Sequence, residues 1–292
     1  RSYFKLREIL YDYNLLNNNN KNYKITCLAE APGGFIQSLL HHNEKNITNI
    51  HAITLLSENK KIPTWNRILK TNKKIKFHTG IKKNGDLFDL MNVLSMIKDI
   101  GQNSIDFITG DGGLDYSNDY SRQEENSLKL IYSEIFMALN LQKIGGTFIC
   151  KIFDIFLKET ISLLYILREN YDRLIIHKPK ISRYSNSEKY IICIGYKGYN
   201  KNIINNLCHN FNDNLIKNKI TTIFLKDILS LNNIYSKTQI EHIYYGIKLI
   251  KSKYNINKPI KNQILSAIKW CNQYKIDINN NCPYINLYNL KN

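Results

Sequence analysis

Lys151 stands inside an apolar run, Thr147-Phe148-Ile149-Cys150-Lys151-Ile152-Phe153, that otherwise reads as a buried strand. An unpaired ammonium in such a run costs several kcal/mol or gives up its proton. Acids within reach relieve that cost, and the sequence offers two at comparable places. Asp111-Gly112-Gly113 closes the apolar run 104–111, and Glu188 opens the run 188–197. A partly desolvated lysine flanked by carboxylates can be tuned for proton transfer, and the same arrangement also serves as a structural ion pair at a strand end. A third segment, Glu30-Ala31-Pro32-Gly33-Gly34, follows the apolar run 24–29. Such a glycine turn either brings backbone close to a ligand and opens a helix onto it, or serves the turn alone.

These residues need a scaffold that carries strand ends to one edge. Short apolar runs at 24–29, 50–56, 74–79, 104–111, 146–153, 172–179 and 188–197 read as seven strands. Helical spacing marks 1–16, the residues after Gly34, 90–100, 123–142 and 155–169, with 57–73 expected to be helical around Pro63. In 123–142, Leu128, Ile131, Ile135, Phe136 and Leu139 share one face, and Gly145 and Gly146 are expected to end the helix. Alternating strands and helices with continuously apolar strands predict an α/β fold with a mostly parallel seven-stranded sheet covered on both faces. Strands six and seven are separated by about nine polar residues, too few for a helical crossover, so the last strand is expected to be antiparallel. Ligands of open parallel sheets bind outside the carboxyl ends of the strands, which is where Glu30, Asp111 and Lys151 fall. The start of an antiparallel strand seven brings Glu188 to that same edge.

Beyond residue 200 the pattern changes. An Asn-rich polar stretch precedes segments at 221–231, 237–254 and 260–275 that look helical, so the expected organisation is a domain over 1–200 and a helical C-terminal extension over 201–292. Tyr244, Tyr245, Ile247 and Ile250 form a stripe expected to be core. His41 and His42 end the helix after Gly34, where they face its dipole.

Of the 292 residues 43 % are hydrophobic, enough for a substantial core, and no run of about 18 apolar residues predicts a membrane span. A net charge of +17 favours a polyanionic partner, nucleic acid first, although abundant Lys, Asn, Ile and Tyr also reflect an AT-rich genome. Six cysteines without a C-x-x-C pair give no zinc site and suit a reducing compartment. The chain opens at Arg1, without Met or a signal-peptide pattern, so an excerpt of a longer polypeptide is expected.

Seven ordered segments carry a family resemblance: RSYFKLREI at the start, APGGF (31–35), GDLFD (85–89), TGDGG (109–113), QEENSLKL (123–130), GGTFICKIFD (145–154) and KPKISRYSNSEKYIIC (178–193). They resemble FtsJ-like, S-adenosylmethionine-dependent RNA 2′-O-ribose methyltransferases, most closely the mRNA cap branch and its large-DNA-virus relatives. The resemblance covers roughly residues 1 to 197 and implies a Rossmann-like methyltransferase fold.

The family's Lys-Asp-Lys-Glu catalytic tetrad matches Lys5, Asp111, Lys151 and Glu188. By this resemblance Lys151 is the general base, or stabilises the developing alkoxide, with its pKa lowered by Lys5 and burial. Asp111 and Glu188 orient it. The resemblance assigns the cofactor S-adenosyl-L-methionine to Glu30, Ala31, Pro32, Gly33, Gly34, Phe35, Asp86, Leu87 and Asp111, with Asp86 towards the adenine. Cys27 stands where many relatives carry Asp, and Glu30 is expected to replace its contact with the cofactor's amino group. Glu58, after strand two, is a candidate for the ribose hydroxyls or an ordinary loop residue. Arg183 either grips an RNA phosphate or is solvated, and Tyr184 stacks on a base or packs.

The implied activity is cap-specific 2′-O-methylation in the cytoplasm, or in a host cytoplasm or virion if the chain is viral. The implied partners are capped RNA and other capping-complex subunits, with neither membrane nor metal. Two alternatives remain open: methylation of rRNA or tRNA, and a non-catalytic RNA-binding subunit of a capping complex.

Overall fold

The computed structural model describes residues 1–114, 119–213, 216, 218–252 and 261–288. Among them the order is α1 (Ser2–Asp12), β1 (Tyr23–Leu28), α2 (Gly34–Asn43), β2 (Ile47–Ile53), α3 (Arg67–Lys70), β3 (Ile75–His78), α4 (Leu90–Ile100), β4 (Ile105–Gly110), α5 (Gln123–Leu141), β5 (Gln142–Ile152), α6 (Lys158–Asn170), β6 (Tyr171–His177) and β7 (Lys189–Tyr196). The helices α7 (Lys201–His209), α8 (Thr222–Lys251), α9 (Lys261–Gln273) and α10 (Pro283–Leu287) follow.

The seven strands form one sheet in the order β3-β2-β1-β4-β5-β7-β6. β7 runs antiparallel to both β5 and β6, and the other pairings are parallel. The nine-residue connection therefore has the consequence expected of it. Period-2 alternation divides the strand residues between two cores. Leu28, Ile108, Phe148, Cys150 and Ile191 face α4, α5 and α6, while Ile25, Cys27, Phe107, Ile149 and Tyr190 face α1 and α2. Strand order reverses between β1 and β4, which opens the crevice where sheets of this kind hold ligands. The two strands also meet beyond their ends, where the Asp111 N–H donates to the Leu28 carbonyl at 3.4 Å.

Four expectations need correction. Residues 57–73 contain only the four-residue α3. Ser57, Asn59 and Asn66 each accept a hydrogen bond from the backbone two residues on, a local alternative that competes with helix. Gly145 and Gly146 do not end α5. That helix stops at Leu141 and passes straight into β5, and Gly145 takes a φ of 79° where the β4–β5 register shifts. The segments 221–231 and 237–254 belong to one helix as far as described, because Asn232 between them sends its side chain to the Ile155 carbonyl (2.7 Å) and leaves its own helix intact. Lys253, Tyr254 and Ile260, at the ends of the expected helices, lie outside the described residues.

Finally, Tyr244 and Tyr245 are 69 % and 61 % exposed, and Ile247 and Ile250 are also exposed, so the stripe is not core. Phe224 and Ile228 bury the first turns of α8 against the α5–α6 side, and further along Tyr235 donates to the Ile176 carbonyl of β6 at 3.1 Å. Ile204 and Leu207 of α7 join the same core. Further on, Trp270 of α9 donates to Glu8 of α1 at 2.9 Å, and Arg7 donates to the Tyr274 carbonyl at 3.1 Å. No helix among the described residues is long and apolar enough to cross a membrane.

Candidate active site

Close backbone approach brings α1 to the sheet edge. A Cβ on Gly34 would lie 2.2 Å from the Ser2 hydroxyl and 3.0 Å from the Tyr3 backbone nitrogen, so glycine here gives the start of α1 room to rest on the start of α2. One turn further along, Lys5 reaches the loop before β7. Its Nζ lies 2.7 Å and 2.8 Å from the two carboxylate oxygens of Glu188. Ser182 donates to the same carboxylate at 2.8 Å, and Lys178 holds the loop through the Asn186 and Glu188 carbonyls (2.7 and 2.9 Å). Burial raises the Glu188 pKa, but the Lys5 charge and the Lys5 and Ser182 hydrogen bonds outweigh it, so the carboxyl lies below its ordinary range. Burial and the neighbouring Lys189 charge bring Lys178 down to about 8.

Lys151 is the penultimate residue of β5, between the buried Cys150 and Ile152. Its Nζ donates to the Asp111 carbonyl at 2.9 Å and lies 3.5 Å from the Asp111 carboxylate. Tyr190 sits directly across from Lys151 in the β5–β7 pairing and donates its hydroxyl to that carboxylate at 2.7 Å. Tyr190 was not singled out from sequence. It lies two residues beyond Glu188, and the period of a strand puts both on one face. Its phenol is pushed up by burial and then by the charges of Asp111 and Glu188. Glu188 in turn feels the charge of Lys151. Two ion pairs from four distant segments therefore meet around Tyr190. All four side chains keep only 12–14 % of their surface exposed, enough to be reached but not fully solvated.

The neighbouring crevice is lined differently. Glu30 is buried, with one carboxylate oxygen taking the Thr109 hydroxyl and the other, Oε2, without a partner among the described residues. Burial above all pushes its carboxyl well above the ordinary range. Ala31 is half-buried, and the exposed Pro32, joined to it by a cis bond, accepts from the Asn66 N–H at 3.1 Å. Gly33 has a φ of 104°, and a Cβ there would stand 2.2 Å from Leu69, so this glycine answers to packing as well as to the turn. Phe35 is buried against Tyr190 (ring centroids 5.9 Å apart), and Leu87 is buried in the other core, so both side chains are used in packing.

Asp86 is half-buried and accepts from the Phe88 N–H at 2.8 Å. Its loop rests on the end of β2, where a Cβ on Gly85 would lie 1.9 Å from the Thr54 carbonyl. Cys27 is buried within β1, and Glu58 is exposed beyond β2. Arg183 is exposed on the loop before β7, and Tyr184 stacks on His242 of α8 at 4.9 Å. His41 stacks with Tyr3, and His42 bonds to the Leu15 carbonyl. Glu134 of α5, buried beside the Asp111 turn, also went unremarked in the sequence.

The chain is 32 % identical over 174 residues to cap-specific mRNA (nucleoside-2′-O-)-methyltransferase 1A of Caenorhabditis briggsae, covering 56 % of this chain and 20 % of that protein. It is 27 % identical over 207 residues to the corresponding methyltransferase 1 of Trypanosoma brucei brucei, covering 70 % and 56 %. To the cap-specific enzyme of Autographa californica nuclear polyhedrosis virus it is 30 % identical over 209 residues, covering 71 % and 76 %. The chain thus spans about a fifth of the nematode relative and about three quarters of the viral one. A family model described as FtsJ-like methyltransferase matches residues 1–196. That match runs from α1 to the end of β7 and so takes in every element that delivers the two ion pairs: the chain belongs to the FtsJ-like methyltransferase family.

Proposed function

We propose that the chain transfers the methyl group of S-adenosylmethionine to a ribose 2′-hydroxyl at the capped end of RNA. The observation that carries this reading is the meeting of Lys5–Glu188 and Asp111–Lys151 at the carboxyl edge of the sheet, beside the crevice between β1 and β4. S-adenosylmethionine supplies a methyl group on a positively charged sulfur. In the transfer, the ribose oxygen forms a bond to the methyl carbon as the carbon–sulfur bond breaks, and the electron pair of that bond stays on sulfur. The proton of the hydroxyl leaves to Lys151 Nζ when that amine is neutral, or to water while the ammonium steadies the oxygen.

The residues present fit the cofactor. Glu30 Oε2 makes no hydrogen bond among the described residues, and an ammonium group beside it would offset the burial that holds this carboxyl high; Asp86 stands on the loop at the end of β2 and β3. Asp111, Tyr190 and Glu188 hold the lysines in place, which contributes orientation as much as proton transfer. Arg183, exposed beside this edge, is available to an RNA phosphate, and the charge of +17 favours a polyanion generally. Relatives of this chain bear names of cap-specific mRNA enzymes, which supports capped RNA over rRNA or tRNA.

Methylation of short capped and uncapped RNAs of one sequence, followed by mass spectrometry of the nucleosides, tests the proposal. Product at a 2′-oxygen next to the cap, with the uncapped RNA at least tenfold slower, is expected. Equal rates would point to a different RNA. No product together with no calorimetric heat from S-adenosylmethionine would point to a binding subunit.

A further inference from the structure

Position 134 lies in the middle of α5, among Ile131, Ile135 and Ala138, where helical spacing calls for an apolar side chain. The chain places Glu134 there instead, 1 % exposed. A carboxylate buried without compensation is costly, so a fold that keeps one has placed something around it.

The surroundings are specific. The Cys150 thiol donates to Oε2 at 3.0 Å, and Cys150 is the residue immediately before Lys151. Oε1 makes no hydrogen bond among the described residues and lies against Gly112, whose backbone N–H faces the carboxylate. A Cβ on Gly110 would come within 2.8 Å of the Glu134 carboxyl carbon, and one on Gly112 within 2.8 Å of Oε1. The glycines on both sides of Asp111 are therefore what admits this side chain beneath the turn. Four charged or titratable groups face it from the elements packed on α5. They are Cys150 and Lys151 on β5, Asp111 at the end of β4 and Glu30 at the end of β1.

We propose that Glu134 is a positioning residue for methyl transfer: seated under the Gly110–Gly112 turn, it supplies a negative charge behind the Asp111–Lys151 pair and couples its own proton to that of Lys151. This rests on the reading of Lys151 given above. Burial pushes the Glu134 carboxyl up to about 7, with the Cys150 thiol and the Lys151 charge pulling down and Asp111 pushing up. Its charge therefore changes within the range where the protein would work. A carboxylate beside an ammonium favours the charged amine, so neutralising position 134 makes the amine easier to deprotonate.

Glu134→Gln keeps the shape and an acceptor for Cys150 but removes the charge. With the full chain, kcat and KM for capped RNA are measured from pH 6 to 9.5 for parent and variant. The expected result is an unchanged KM and an ascending limb of kcat displaced to lower pH by roughly half a unit or more. Superimposable profiles, or the same loss at every pH, would overturn the inference, since a purely structural role predicts one of these.

The reciprocal measurement does not depend on that variant folding. The Glu134 carboxyl is followed by carbon-13 NMR in the parent and in Lys151→Met, where loss of the ammonium should raise its midpoint by about the same amount. An unmoved midpoint would also overturn the inference. Lys151→Ala separates the two levels. If it keeps the parent's rate, the reading of Lys151 fails. If it is inactive while the Glu134→Gln profile superimposes on the parent's, only the role of Glu134 fails.

Discussion

Strand β4 has an aspartate paired with lysine at each end, and the two ends are built differently. At the amino end, Asp106 accepts from the Lys24 N–H at 2.9 Å and lies 3.2 Å from both Lys21 Nζ and Lys143 Nζ. Its carboxylate is buried, but both lysines are over 40 % exposed. Burial pushes its carboxyl up, and the Lys24, Lys143 and Lys21 contacts more than offset this, leaving it below the ordinary range. At the carboxyl end, Asp111 has one ammonium at 3.5 Å and the Tyr190 hydroxyl at 2.7 Å. There the lysine is as buried as the acid and is also tied to the Asp111 carbonyl.

The difference matches the roles proposed for the two ends, a fastening at one and a proton-transfer site at the other. Asp106 is satisfied by a backbone N–H and by two lysines that are themselves solvated, so its energy goes into holding strands and loops together. Around Asp111 the cation is tied to the backbone and shielded from water, which is what the proposed proton-transfer role would need. Residue types alone do not distinguish the two ends. Their place on the sheet does, because only the carboxyl end opens on the crevice.

The largest expected effect falls on the carboxyl end. Lys151→Ala is expected to lower kcat by roughly 10²–10⁴-fold, the range of a lost proton-transfer or alkoxide-stabilising group. Single-turnover methylation of capped RNA measures it. A loss below about threefold would break the comparison, since Lys151 would then be no more than another fastening.

Asp106→Asn probes the opposite end and should leave kcat within twofold. It weakens charged hydrogen bonds to a buried group and is expected to lower unfolding stability by about 1–3 kcal/mol near pH 7. The sign with pH follows from the lowered pKa. The stabilisation is present above the unfolded value of about 3.8 and is lost as pH falls through the folded one, so the gap between parent and variant should close below about pH 4. Urea denaturation at several pH values reads this directly, and a gap that stays constant with pH would assign the loss to packing instead.

Of this contrast only the carboxyl end was legible in the sequence, where nothing marked Asp106 or its lysines. Hydrophobic periodicity located the seven strands, and the nine-residue connection set the direction of β7. Strand ends then gathered Glu30, Asp111, Lys151 and Glu188 on one edge, and the resemblance added Lys5, whose place depends on α1 folding back over α2. What escaped depends on contacts between elements. Glu134 reads as an ordinary polar residue until Cys150 and Gly112 close over it. Tyr190 is one tyrosine among 20, distinguished only by facing Lys151 across a strand pair. The exposed stripe of α8 has an apolar pattern that cannot reveal whether another element covers it. Gly145 failed as a helix stop because its positive φ serves a strand irregularity, and glycine signals both in the same way.

The smallest effect is expected from Lys143→Ala, and it sharpens the comparison most because it touches only one of the three donors to Asp106. Lys143 Nζ is 3.2 Å from Oδ2, but its side chain is 42 % exposed, so water competes for the charge and the long stem loses freedom in pairing. Lys21 and the Lys24 N–H remain to satisfy the carboxylate. The expected loss is therefore about 0–1 kcal/mol, and salt should shrink it further because exposed pairs are screened. Urea denaturation of parent and variant at low and at ~0.5 M sodium chloride measures both statements. A loss that stayed large in high salt would mean the amino-end cation is held as firmly as Lys151, and the distinction between the two ends of β4 would then rest on the crevice alone.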